Sequence, residues 1–113
     1  MMQISILIKL EVSGNHFWKE ATSQVDFLSN LHRHKFFIIA EKSVAHADRD
    51  IEFISYAHKI KKWFEDTFSI DEIGCIYFGG LSCESIAIKL LTEFDLISCE
   101  VWEDNEFGAR VSR

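Results

Sequence analysis

Residues 3–12 read Gln3-Ile4-Ser5-Ile6-Leu7-Ile8-Lys9-Leu10-Glu11-Val12. Ile4, Ile6, Ile8, Leu10 and Val12 alternate with mostly polar neighbours, and a repeat of two is the period of a strand with one buried face. A second run, His34 to Val44, is rich in Phe and Ile through Phe36, Phe37, Ile38 and Ile39 and turns polar at Glu41-Lys42-Ser43. It reads as the antiparallel partner of the first. The polar connection between them, Ser13 to Leu31, is long enough to carry function or a short helical piece.

Beyond these strands the period changes. From Asp50 to about Phe68 the apolar positions Phe53, Ala57, Ile60 and Phe64, flanked by Ile54, Tyr56 and Trp63, recur at helical spacing, with Lys59, Lys61, Lys62, Glu65 and Asp66 mostly elsewhere. The stretch Ser69 to Leu81, punctuated by Gly74, Gly79 and Gly80, reads as a loop. Ser82 then caps a second helix carrying Ile86, Ala87, Leu90, Leu91 and Phe94. Two last strands, Leu96 to Glu103 and Gly108 to Ser112, flank Asp104-Asn105-Glu106-Phe107. The expected order is strand, strand, helix, helix, strand, strand, with no internal repeat.

Composition bounds what such a chain does. It has 113 residues, 48% hydrophobic and 27% charged, with no proline, which suits one domain over residues 1–113 and excludes a disordered tail. No apolar run approaches the ~18 residues of a membrane span. Eighteen acidic against twelve basic side chains give a net charge of -6, so no nucleic-acid partner is expected; small neutral or metal-bound ligands suit this balance better. Cys75, Cys83 and Cys99 form no CxxC pair and the N-terminus lacks a secretory pattern, so a reducing cytoplasm is the expected compartment and each thiol is read first as a core residue.

The chemistry concentrates in Leu31-His32-Arg33-His34-Lys35. On a strand, two residues one apart point to the same face, so the imidazoles of His32 and His34 can converge. Zinc takes nitrogen ligands at ~2.0–2.1 Å, and a catalytic site commonly uses three protein ligands and keeps one position open. His16 is the candidate third ligand, if the first two strands pair so that it faces the other two. The plain alternative is a polar strand edge kept wet by Arg33 and Lys35. His46, in a polar stretch, and His58, within the first helix, read as surface or core-edge residues.

With these residues in hand, the chain resembles the 6-pyruvoyl- and 6-carboxytetrahydropterin synthase family of tunnelling-fold (T-fold) proteins over nearly its whole length. That family places one histidine after its first strand and an HxH pair before the second, as His16 and His32-Arg33-His34 stand here. Its approach to the first helix is similar to Arg49-Asp50-Ile51-Glu52-Phe53, its second-helix start to Leu81-Ser82-Cys83-Glu84, and its late acidic pair to Glu103-Asp104. The resemblance implies a four-stranded antiparallel sheet with two helices on one face, Zn2+ on His16, His32 and His34, and a homo-oligomer with ligand pockets between subunits. It also implies that Glu103 grips a pterin ring through two N–H donors, with Ser82 and Cys83 beside it, although a solvated Glu103 and a merely capping Ser82 are the plain alternatives.

The implied chemistry is triphosphate elimination from 7,8-dihydroneopterin triphosphate, on a route to pterin or deazapurine compounds. Two departures bear on it. The family's proton-abstracting cysteine is absent from Gln24 to Leu31, and its Asp-His pair has no counterpart beyond Asp71, whose simpler role is in a turn. Three readings follow: a divergent zinc-dependent synthase; a module that holds a pterin, purine or related nucleotide without converting it; and a protein whose histidines bind a structural metal.

Overall fold

The computed structural model describes residues 2–113. The first strand, β1, runs from Ile4 to His16 and the second, β2, from His32 to Val44. They pair antiparallel along their whole length, from Ile4 opposite Val44 to His16 opposite His32. Both are longer than their apolar alternation, because pairing continues through the polar residues 13–16 and 32–35. The connection between them carries a short 3-10 segment, Ser23–Ser29, broken at Val25.

The first helix, α1, spans Phe53–Thr67, three residues later than its expected start at Asp50. Asp50 is spent elsewhere: its Oδ2 accepts from the Ala45 amide at 2.7 Å. Glu52 is the cap, in extended backbone, and its carboxylate accepts from the amides of Ile54 and Ser55 at 2.7 and 3.1 Å. The buried stripe is Tyr56, Ile60 and Phe64, at steps of four, while Phe53, expected inside, is exposed.

The stretch expected as a loop after α1 contains a fifth strand. β3, Ile76–Gly79, lies parallel to the end of β1, with Ile76 opposite Gly14. The second helix, α2, spans Cys83–Phe94 and is followed by β4, Ser98–Glu103, and β5, Phe107–Ser112. The sheet order is β3-β1-β2-β4-β5. This corrects the wholly antiparallel four-stranded sheet and the ββααββ order: the molecule is a mixed α+β fold with order ββαβαββ. Gly14 makes β3 possible, because a Cβ there would lie 2.3 Å from the ring of Phe78.

Both helices cover one face of the sheet. Ile8 and Leu10 of β1, Phe36, Ile38 and Ala40 of β2, and Cys99 and Val101 of β4 form one core with Tyr56, Ile60 and Phe64 of α1 and Ile86, Ala87 and Leu90 of α2. Each large side chain so buried contributes about 1.5–3 kcal/mol. α2 has no basic residue in its last turn, and two of its last carbonyls are met from outside the helix, where Lys42 Nζ donates to Phe94 O at 2.9 Å and Arg113 Nη2 to Leu91 O at 3.4 Å. Among the described residues, no helix is long and apolar enough to cross a membrane.

Candidate metal centre

The pleat that builds the core also builds the site. Positions 8 and 10 of β1, 36, 38 and 40 of β2, and 99 and 101 of β4 are buried under the helices. Continuing each series by steps of two toward one end of the sheet reaches His16, His34 and His32, and Glu103. Register aligns them, with His16 opposite His32, Gly14 opposite His34 and Phe36 opposite Glu103. Ring centroids of His16 lie 4.6 Å from His32 and 5.3 Å from His34, and those of His32 and His34 are 5.0 Å apart. One ligand-capable atom from each of the three lies within 4.8 Å of the other two.

Hydrogen bonds orient the rings. His16 Nδ1 lies 2.8 Å from Leu81 O, His32 Nδ1 2.8 Å from Asn30 O and His34 Nδ1 2.7 Å from Asp104 Oδ2. All three partners are acceptors, so Nδ1 carries the proton in each neutral ring and Nε2 keeps its lone pair for a cation. His34 Nε2 is buried with no hydrogen-bond partner among the described residues, an orphan that a metal bond would satisfy. The donor set fits a zinc-type ion: three imidazoles of one tautomer, each with an oriented outer partner.

Glu103 stands over this cluster, with Oε2 3.1 Å from His16 Nε2 and Oε1 3.6 Å from His34 Nε2. Contact with His16 holds Glu103 below the ordinary carboxylate range, against the opposing pull of its own burial. Burial pulls His16 down, but the Glu103 carboxylate and the Leu81 carbonyl outweigh it and leave the imidazole above its ordinary value. Asp104 is held low by the His34 hydrogen bond and by the Lys35 amide, whose N donates to Oδ1 at 3.0 Å.

Beside the cluster is an open cavity of about 480 Å³. His16, His32 and Glu103 line it, as do Ser82 and Cys83 at the start of α2, while Phe17, Trp18 and Phe107 supply aromatic surface. Ser82 is also the cap of α2, accepting from the Ser85 amide at 3.1 Å. Cys83 Sγ lies 3.6 Å from Glu103 Oε2, and burial, with Glu103 beside it, pushes the thiol up to about 12, so it keeps its proton at neutral pH.

The six candidate residues therefore meet at one end of the sheet: five on the cavity wall, with His34 in the histidine cluster. The others do not join them. Asp71 holds a turn by accepting from the amides of Ile73 and Cys75 at 3.0 and 2.9 Å. Cys75 packs against Asn15 and Cys99 lies in the core. His46 is exposed near Asp50, and His58 is exposed on α1.

Sequence reasoning missed Asp104 as the partner of His34. The available signal was the Asp104-Asn105 pair, both at positive φ in a type I′ turn that ends β4 and returns Asp104 to β2. It also missed the carbonyls of Leu81 and Asn30 and the aromatic wall, which carry no signal in sequence.

No family model and no curated protein matches the chain. Among solved structures, an uncharacterized protein from Wolinella succinogenes superimposes with a TM-score of 0.72, at 14% sequence identity, over 100% of this chain and 99% of its own. The likeness is one of fold alone.

Proposed function

We propose that the chain is a zinc-binding T-fold protein of the 6-pyruvoyl/6-carboxytetrahydropterin synthase type, which binds a dihydropterin triphosphate and eliminates its triphosphate. The observation that carries this reading is the convergence of His16, His32 and His34 beneath Glu103 at the wall of one cavity. When bound, the cation supplies Lewis-acid polarisation of oxygens on the ligand's side chain. The chain's own residues do the rest of the positioning.

Glu103 presents two acceptor oxygens, the complement of adjacent ring and exocyclic N–H donors on a pterin edge. Cys83 donates to that carboxylate and fixes its rotation. Phe17 and Trp18 offer flat apolar surface on which a fused heterocycle stacks, excluding water from its faces. Leu81, Asn30 and Asp104 hold the three imidazoles in the tautomer that leaves Nε2 free.

The proposed partner is a second copy of the chain. Among the described residues, the edge of β1 from Ile4 to Ser13 that faces away from β2 pairs with no strand, and Leu7 on the sheet face away from the helices is 64% exposed. Assembly through the sheets would cover both.

A second reading, that the pocket holds a pterin, purine or related nucleotide without converting it, is favoured by one observation. Among the described residues the cavity wall carries Glu84 and Glu103 and no Lys or Arg, so the wall of a single copy gives a triphosphate no basic side chain to bind. Incubation of zinc-loaded protein with 7,8-dihydroneopterin triphosphate separates the two. Released triphosphate is expected for the synthase, bound ligand recovered intact supports the binding module, and neither binding nor release overturns both.

A further inference from the structure

Two acceptors do not face one another at 3.1 Å without a cation between them. His16 Nδ1 points at the Leu81 carbonyl, so in the neutral ring Nε2 is a lone pair, and 3.1 Å from it stands a carboxylate oxygen, Glu103 Oε2. His34 repeats the pattern: its Nδ1 is taken by Asp104, and its buried Nε2, with no hydrogen-bond partner among the described residues, lies 3.6 Å from Glu103 Oε1. The two oxygens of one carboxylate are thus each turned toward the free nitrogen of a different imidazole. Adjacent ligands of a tetrahedral ion with bonds of ~2.0–2.2 Å are separated by roughly 3.3–3.5 Å; the contacts of Glu103 with His16 and His34, at 3.1 and 3.6 Å, lie near that spacing, while the cluster as it stands joins His16, His32 and His34 without Glu103, so one carboxylate oxygen has to turn toward His32 to complete a fourth position.

We propose that Glu103 is a fourth metal ligand, closing the three-histidine site while the pocket is free of heterocycle, and that ligand binding draws the carboxylate off the metal. The proposal rests on the metal-and-pterin reading above and adds a switch to it. Glu103 cannot give the same lone pairs to a cation and to two N–H donors, so occupation of the pocket and opening of a coordination position become one event. A four-coordinate ion with no open position is inert toward adventitious ligands; one freed by the arriving heterocycle is available only where that heterocycle sits.

The competing explanation of the same contact is a proton, giving a His16 imidazolium paired with Glu103. The two differ in the ligand field. If Glu103 only stabilises a proton on His16, Glu103→Gln changes the charge near the metal, and with it the affinity, but leaves the set of atoms bonded to the metal as it was. If Glu103 is a ligand, Glu103→Gln changes that set.

The experiment titrates the metal-free full chain with cobalt(II), following the visible ligand-field bands, and obtains zinc affinity by competition with a chelator. Glu103→Gln is expected to lower both affinities by at least about 10-fold, the scale on which even outer partners of metal ligands act, and to shift the cobalt bands. Glu103→Asp, which keeps the carboxylate, is expected to recover part of the loss. Neopterin added to the cobalt-loaded wild type is expected to move its bands toward those of Glu103→Gln.

Unchanged cobalt bands in Glu103→Gln, whatever its affinity, overturn the proposal. So does a neopterin complex, measured by calorimetry, that leaves the wild-type bands unmoved. His32→Ala serves as the separate control: if it binds cobalt as wild type does, the histidine cluster is not the metal site, and the underlying reading fails rather than the role of Glu103. Far-ultraviolet circular dichroism of each variant establishes that it is folded.

Discussion

Replacing Gly14 with alanine tests the part of the fold on which the site leans. The new Cβ would stand 2.3 and 2.6 Å from two ring carbons of Phe78 and 3.0 Å from Phe36 Cδ2, where carbon atoms prefer ~3.5–4.0 Å. Phe78 has little room to retreat: it is 3% exposed, with ring centroids of Phe36 and Phe68 at 5.1 and 5.0 Å. Overpacking of a filled core costs about 1–3 kcal/mol, and an overlap of this depth belongs in the upper half of that range. At the lower edge of the usual scaling, ~4 °C per kcal/mol, Gly14→Ala should lower the melting temperature of the metal-free protein by about 8–12 °C.

The strain also reaches the metal centre, because His16 pairs with Gly79 of β3 and the Phe17 amide donates to Gly79 O at 2.9 Å. Zinc affinity should fall with stability. The assay is thermal unfolding in chelator for wild type, Gly14→Ala, Phe78→Leu and the double variant. Contact between the two sites requires a coupling of about 0.5–3 kcal/mol, with the smaller side chain relieving the alanine. A melting temperature within about 2 °C of wild type, or strict additivity in the cycle, would refute the placement of β3 against Gly14.

Further outcomes follow from the same geometry. Asp104→Ala removes the acceptor on His34 Nδ1 and should weaken zinc binding about 10–100-fold, read by chelator competition; an unchanged constant would mean that His34 needs no outer partner. Zinc at 100 times its dissociation constant should raise stability by about 2.7 kcal/mol, seen as a melting shift that chelator reverses and that His32→Ala abolishes. Glu41 is held below its ordinary value of 4.5 by the hydroxyls of Ser98 and Ser5, each at 2.7 Å. A carboxylate whose folded pKa is depressed stabilises fully above its unfolded pKa and loses that contribution as pH falls through the folded one. Denaturant unfolding of Glu41→Gln should therefore depend less steeply on pH than wild type from about pH 5 downward; parallel curves would show that the hydroxyls do not grip the carboxylate. Cys75, Cys83 and Cys99 are buried free thiols, so iodoacetamide at pH 7.5 should label them only after unfolding; rapid labelling of the native protein at Cys83 would contradict a thiol raised to about 12.

Much of the fold is local and therefore legible in the chain. The repeat of two in residues 4–12 and the helical stripes of 56–64 and 86–90 record which face meets the core, since burial selects side chains at the period of the backbone that carries them. The same period already placed His32 and His34 on one face. It did not place them against His16, because register is a relation between strands, set here by pairing that runs from Ile4 opposite Val44 to the end of both strands.

What tertiary structure alone decided lies where the local signal is short or contradictory. Ile76-Tyr77-Phe78 is too brief a run, and too closely bounded by Gly74, Gly79 and Gly80, to announce a strand; it becomes one because Gly14, more than sixty residues earlier, leaves space for Phe78. Phe53 carries the hydrophobicity of a core residue yet is 60% exposed, because Glu52 starts the helix with its buried stripe on Tyr56. The orienting carbonyls of Leu81 and Asn30 belong to backbone that any residue would supply. Sequence thus determined which side chains share a face, through the geometry of each segment; the tertiary fold decided which faces meet, through the room that distant residues leave one another.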